Sequence, residues 1–319
     1  MIRRRSGRLR SYLELFRIPN VFTALADVAM GFLFVRRSLS PWPAFFSLAI
    51  ASALLYTGGM VLNDVYDCAR DARERPQRPL PSGRIPLGRA RWLGYQMLLM
   101  GVALGWLGGY AAHGAGGWRS GAVATCLALC VWAYDALVKN SWAGPFLMGA
   151  CRSLNVLLGM SAAAGAAEEG VGALFGAAGL LVAAGVGIYV TGISWYARSE
   201  TTRSRRGTLL LGTGLMAAGI AALAFFPRIA GYTSSFRVDP RWVWPLAVSL
   251  LSLSILRRCI HGVVDPRPAR VQAAVTHGVL SIIVLDASVC LLVSPWYWAT
   301  GVLALLMPAV TLARWIGST

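Results

Sequence analysis

Charge is what this chain has least of: 13% of its 319 residues are Asp, Glu, Lys or Arg, against 56% hydrophobic, with a mean hydropathy of +0.59. Several apolar runs exceed the ~18 residues needed to cross a bilayer, so the chain reads as a polytopic membrane protein. Acids are scarcer still, 13 against 30 basic residues, for a formal charge of +17. A soluble nucleic-acid binder would gather such charge on a folded surface with polar spacers, whereas here it lies in short connectors between apolar segments. The six cysteines lack metal-type clustering and mostly fall in apolar segments, so no disulfide is expected. No soluble insert, low-complexity tract or linker interrupts the chain, and residues 1–319 are expected to form one membrane domain. Gly101, Gly105 and Gly108 follow no strand and read as packing notches between helices rather than a nucleotide loop.

Ten apolar segments are present, at about 19–35, 42–62, 92–112, 118–137, 144–165, 171–196, 208–226, 242–256, 271–294 and 296–316. With the N-terminus inside, 23 of the 30 basic residues face the cytosol and six the other side, while Arg152 lies in a span. That bias predicts a cytosolic N-terminus in an inner, cytoplasmic membrane, with the loops at 63–91 and 197–207 on the cytosolic face. The basic leader MIRRRSGRLR reads as an uncleaved lead-in.

Acids are spent where a membrane protein normally avoids them. In NDVYDCARDARERPQRPLPSGRI, residues 63–85, helical continuation places Asn63, Asp67 and Asp71 at i, i+4 and i+8 on one face. Like charges on one face repel by about 0.2–0.5 kcal/mol per pair unless a cation sits among them. Magnesium suits such oxygens, being shared between one or two carboxylates and a phosphate-bearing substrate. Arg70, Arg73, Arg75, Arg78 and Arg84 follow, interleaved with helix-breaking prolines. Metal plus arginine points to phosphate. A solvated loop whose acids merely pair with its arginines is the plainer alternative.

The stretch resembles the first aspartate-rich motif, NDxxDxxxD followed by RPxRPLPSGRI, of the UbiA superfamily of intramembrane prenyltransferases. YDALVK, residues 134–139, is similar to the family's Tyr/Lys motif with one residue more than its YxxxK spacing. CRSLNVLLGM, residues 151–160, resembles its cavity-lining RxxN pattern. NDVYDCARD, YDALVK, CRSLNVLLGMS and ISWYARSE together look most like the EboC-like branch, which implies no defined acceptor. The family's second motif, DxxxD, is not matched at 192–207, where Glu200 is the only carboxylate among Arg198, Arg203, Arg205 and Arg206.

The resemblance implies an all-helical bundle of nine spans, here with a tenth, around a cavity open to the cytosol. It implies Mg2+ held by Asn63, Asp64, Asp67 and Asp71, with Asp67, Asp71, Lys139 and Tyr134 at the chemistry. Arg70, Arg78, Arg84, Arg152, Asn155, Tyr196, Arg198 and Glu200 would bind a prenyl diphosphate and an unidentified acceptor. Tyr134, Trp195 or Tyr196 would face a developing carbocation. Tyr134 and Lys139 could equally anchor the span, and Arg152 could pair with Asp286 or Asp27. A transporter or flippase of a lipid-linked or small anionic solute, or a non-catalytic assembly factor, would also use intramembrane charge. Single-cysteine probes at Ser82 and Ser204 are expected to react with an impermeant thiol reagent from one and the same membrane face. Labelling from opposite faces would separate the two loops and dissolve the shared site.

Overall fold

The structure is a computed structural model that describes residues 2–163, 171–199, 205–231 and 236–316. Helix is the only regular structure among them, as hydrocarbon requires of a chain that must satisfy its own backbone. A basic helix, α1 (Ile2–Leu15), leads into α2 (Ile18–Arg36), α3 (Trp42–Glu74) and α4 (Leu87–His113). Then come α5 (Trp118–Ala133), α6 (Gly144–Met160), α7 (Val171–Tyr196), α8 (Arg206–Ile229), α9 (Val243–Val264) and α10 (Pro268–Val293). The last apolar run breaks into α11 (Trp296–Ala304) and α12 (Leu306–Ile316). Pro41, Pro86 and Pro295 cap α3, α4 and α11, where a missing N–H costs nothing.

All ten apolar segments are helical, though their limits move. Among the described residues eight helical stretches are long and apolar enough to cross a membrane, counting α5 together with the turn after it and α11 together with α12; α6, at 17 residues, falls short, and α4 is diluted by Gly, Trp, Tyr and Gln. The chain is accordingly a multi-pass integral membrane protein. The largest departure is α3, which runs three turns past its apolar part and carries the acidic motif to its end as one 33-residue helix.

In chain order α3 packs on α4, α4 on α5, α6 on α7, α7 on α8 and α8 on α9, while α2 contacts α3, α6 and α10. At the α2/α6 crossing a Cβ on Gly31 would lie 2.2 Å from the Val156 carbonyl oxygen, and one on Gly159 would lie 2.2 Å from that of Val28. The backbones touch, which small residues alone allow. The expected notches are real: a Cβ on Gly101, Gly105 or Gly108 would run into Leu55, Ala124 or Leu48. Gly159→Val is therefore expected to cost several kcal/mol or prevent folding, whereas Gly214→Ala, with nothing near its Cβ, should gain up to about 1 kcal/mol. Thermal unfolding in detergent micelles checks both, and a stable Gly159→Val protein would contradict the close crossing.

Candidate active site

The acids of α3 are buried together at one end of the bundle. Asn63, Asp64, Asp67 and Asp71 are each at most 9% exposed, a burial that carboxylates tolerate only when paired. Each partner comes from a different piece of chain. Arg17, between α1 and α2, donates through Nη2 to Asp64 Oδ1 at 2.8 Å. Arg78, in the loop after α3, donates through Nη1 to Asp71 Oδ2 at 2.7 Å and lies 3.5 Å from Asp64 Oδ1. Lys139, the one lysine in the chain, and Arg70 (2.8 Å) both meet Asp67 Oδ2. Burial lowers the Lys139 pKa, and its contact with Asp67 offsets part of that shift.

Local structure explains each reach. Arg17 adopts the left-handed backbone conformation (φ 46°, ψ 46°), which breaks α1 from α2 and is uncommon for a side chain that is not Gly, Asn or Asp. In the loop, Leu80 and Ile85 are buried against Leu15, Val61 and Ala90, and Gly83 takes φ 71° to close the turn. That folding turns Arg78 toward the acids. After α5 a π turn spans Tyr134–Val138, closed by the Lys139 N–H donating to the Tyr134 carbonyl at 2.9 Å. One extra residue per turn is what a π turn absorbs, so the long Tyr-to-Lys spacing still delivers Lys139 to Asp67.

Directly beneath lies a small cavity of about 50 Å³ between α2, α3, α5 and α6. Its walls are Leu55, Met60, Leu127, Val131 and Met148, with Tyr56, Tyr134 and Asp135 among the polar residues that line it. Asp135 is buried; its Oδ1 accepts from Asn63 Nδ2 at 2.8 Å, and its Oδ2 has no hydrogen-bond partner among the described residues.

The pattern of the UbiA prenyltransferase family matches residues 24–274, which is most of the chain and all of this site except Arg17. The chain belongs to the UbiA prenyltransferase family. Similar curated proteins include the digeranylgeranylglyceryl phosphate synthases of Saccharolobus solfataricus, 32% identical over 47% of this chain and 51% of theirs, and Ignicoccus hospitalis, 39% identical over 34% and 36%. The matched stretch thus spans about half of the first relative and about a third of the second. Among solved structures, a digeranylgeranylglyceryl phosphate synthase superposes with a TM-score of 0.61 at 18% identity, covering 93% of this chain and 99% of its own. A UbiA homolog from Archaeoglobus fulgidus bound to GPP and Mg2+ gives 0.61 at 15% identity, covering 92% and 99%. At such identities the structures speak to the fold alone.

Other sequence-expected residues of this UbiA chain lie elsewhere. Arg84 points away from the acids and straps the loop to α1, donating to Glu14 Oε2 (2.8 Å), Ser11 Oγ (3.1 Å) and the Gln77 carbonyl (2.7 Å). Tyr196 is buried between α7, α8 and α9, its hydroxyl donating to the Cys259 carbonyl at 2.9 Å. Trp195 packs edge-on against Phe146 with Arg198 over its ring. Arg198 also donates to the Ser141 carbonyl at 2.9 Å, next to Asn140, which accepts from Arg70, so this loop touches the rim of the acidic cluster. Glu200 and Arg203 lie outside the described residues.

Arg152 and Asn155 do line the cavity, and Arg152 is also paired. Its Nη1 donates to Asp27 Oδ2 and its Nη2 to Thr23 Oγ1, both at 2.7 Å, with the guanidinium 5.1 Å from the Tyr56 ring centroid. Asp286, fully buried on α10, faces the Asp27 carboxyl, and among the described residues its oxygens meet no hydrogen-bond donor. Arg17, Asp135 and Tyr56 were not singled out by sequence. An acid inside an apolar span was a signal for Asp135, and the basic residue before Ile18-Pro19 a weaker one for Arg17.

The donor set fits magnesium. Among the described residues the cations take one oxygen of each carboxylate, Asp64 Oδ1, Asp67 Oδ2 and Asp71 Oδ2, and leave the other. Among the described residues no three acidic, His or Cys groups converge as a ready cage, so magnesium would rest on one or two of these carboxylates with water and substrate phosphate completing its shell. For the mid-membrane pair, Asp27→Ala is expected to cost ~3–5 kcal/mol by stranding Arg152, and Asp27→Ala/Arg152→Met should recover more than half. Denaturation in micelles reads both; a double variant as unstable as the sum of the singles would mean the two side chains are not coupled.

Proposed function

We propose that this chain transfers a prenyl group from a prenyl diphosphate to an acceptor nucleophile, with magnesium assisting. The observation that carries this reading is the stacking of a cation-rich carboxylate cluster on an apolar cavity, with Tyr134 and Asp135 lining the cavity at their junction. That is the shape of an amphiphile with a charged head and a hydrocarbon tail. The GPP and Mg2+ bound by the Archaeoglobus homolog support the donor class and the metal.

Three carboxylates already balance most of the charge of Arg17, Arg70, Arg78 and Lys139, so a diphosphate brings more negative charge than the bases alone can meet. Magnesium held by Asp67, Asp71, Asp64 and Asn63 would supply that charge and act as a Lewis acid toward the leaving group. Arg78, Arg70 and Lys139 would donate to its remaining oxygens. The bond between the allylic carbon and the diphosphate oxygen breaks with its electron pair going to the diphosphate. The acceptor's electron pair forms the new bond, and the acceptor then gives up a proton. Tyr134, which lines the cavity, would turn its ring to the allylic cation, while Leu55, Leu127 and Val131 would keep water from it. Tyr196 and Trp195 are too committed elsewhere for that task. Arg84 would act by holding the loop that aims Arg78.

The relatives' names make a phosphate-bearing glyceryl lipid the acceptor to test first, although the EboC-like resemblance of the motifs implies none in particular. The positive bias of the loops supports a cytosolic site in an inner membrane. Purified protein is expected to bind a prenyl diphosphate at least tenfold more tightly with Mg2+ than with chelator, and Asp67→Ala should lose most of that difference. Calorimetry showing equal affinity in both conditions would remove the metal from the mechanism.

A further inference from the structure

Helices α9 and α10, which carry none of the acidic cluster, share a polar ladder that membrane burial alone does not call for. On α9, Leu251, Ser254, Arg258 and His261 recur at i, i+3, i+7 and i+10; on α10, Arg270, His277, Ser281 and Val284 recur at i, i+7, i+11 and i+14. Each set lies along one helix face. Ser254 Oγ and His277 Nε2 meet across the groove at 3.5 Å, and Arg258 lies close enough for its charge to act on the His277 ring. Around Ser254, His277 and Ser281 the groove holds a notch of about 100 Å³, walled by Leu251, Ile255 and Val284. His277 and Asp286 are about two and a half turns apart, so the histidine faces away from the buried network of Asp27 and Arg152.

The outer strip of α9 beside the groove is bare: Leu250, Leu253, Ile260 and Val264 are each more than half exposed, as suits contact with lipid. Polar side chains in a span normally turn to the bundle interior. Here the Ser254 hydroxyl and the His277 ring have, among the described residues, no closer partner than each other, whereas Ser281 Oγ is settled on the His277 carbonyl at 2.8 Å. Where α9 turns into α10 the charge is one-sided. Asp265 meets Arg267 at 3.2 Å and Arg270 at 3.4 Å, and Arg206 arrives from α8 onto the Val264 carbonyl at 3.2 Å. Arg257 and Arg258 pair with no acid among the described residues.

We propose that this groove binds a glycerophospholipid of the cytosolic leaflet with an anionic headgroup. Arg257, Arg258 and Arg270 take the phosphate, and Ser254 and His277 hydrogen-bond the glycerol ester oxygens a turn deeper. The positive bias of the loops puts these arginines at the level of the cytosolic phosphates, and their long side chains reach up to them. A neutral imidazole and a hydroxyl each donate one hydrogen bond, which ester carbonyls accept. At about 30 Å³ for a water-sized group the notch takes the ester linkage and not the chains, which lie outside it against Leu250 and Leu253. A soluble acidic protein does not fit the ladder, because Ser254 lies ~15 Å below the end of α9. The site is separate from the proposed transfer reaction and does not depend on it.

The test is native mass spectrometry of the delipidated protein titrated with equal amounts of phosphatidylglycerol and phosphatidylcholine, the ratio of the two adducts being read within one preparation. A preference of about twentyfold for phosphatidylglycerol is expected, at about fivefold for each arginine near an anionic headgroup. Arg257→Gln/Arg258→Gln should remove most of it. Arg89→Gln/Arg91→Gln, which removes the same charge from exposed positions at the start of α4, should leave it unchanged. His277→Leu should weaken both lipids alike by about fivefold, the worth of about one hydrogen bond, since both carry the glycerol esters. Ser254→Ala, a change at an exposed position that leaves the fold intact, should act in the same direction. Equal adducts of the two lipids, equal losses in the two arginine pairs, or normal binding by both the His277 and Ser254 variants would overturn the site. Displacement of phosphatidylglycerol by millimolar inorganic phosphate would mark a site for a free anion and overturn it as well.

Discussion

A carboxylate buried at the end of a membrane helix has to be met by a cation, and most of the architecture around α3 answers that need. Desolvating each charge costs several kcal/mol, which close, hydrogen-bonded partners offset. The break between α1 and α2 puts Arg17 on Asp64, the inward hooks Leu80 and Ile85 put Arg78 on Asp71, and the π turn puts Lys139 on Asp67. None of these three features has a reason within its own segment. A left-handed arginine and a π turn are each unfavourable locally, and both persist where the surroundings over-determine them.

The same requirement explains what could be read from sequence. The acid face of α3 was legible because i, i+4, i+8 spacing needs only that the helix continue, and it does continue to Glu74. Class followed from hydrophobic runs, whereas the expected nine spans and a tenth did not: among the described residues eight stretches have the length and hydropathy to cross. Which arginine of the loop serves the acids was not legible. Arg78 and Arg84 are six residues apart in a stretch without periodicity, and only the burial of Leu80 and Ile85 turns one inward and leaves the other on Glu14. Tyr196 looked like a cavity residue because it ends a span beside a polar loop. Its hydroxyl is instead consumed by the Cys259 carbonyl, a partner 63 positions away that no local pattern announces. Arg152 offered two readings, cavity lining and pairing with Asp27, and both hold.

Mid-membrane polarity follows a different logic from that of the acidic end. There the groups are fixed charges near water; here, Arg152, Asp27, Thr23, Asn155 and Ser52 form one network across α2, α3 and α6, close to where Gly31 and Gly159 bring α2 and α6 into backbone contact. Close approach and hydrogen bonding reinforce each other. Short interhelical distances make the side-chain bonds geometrically possible, and in hydrocarbon no water competes for them. Asp286 extends the polar region to α10, inside the apolar packing that joins α2 and α6 to α7 and α10.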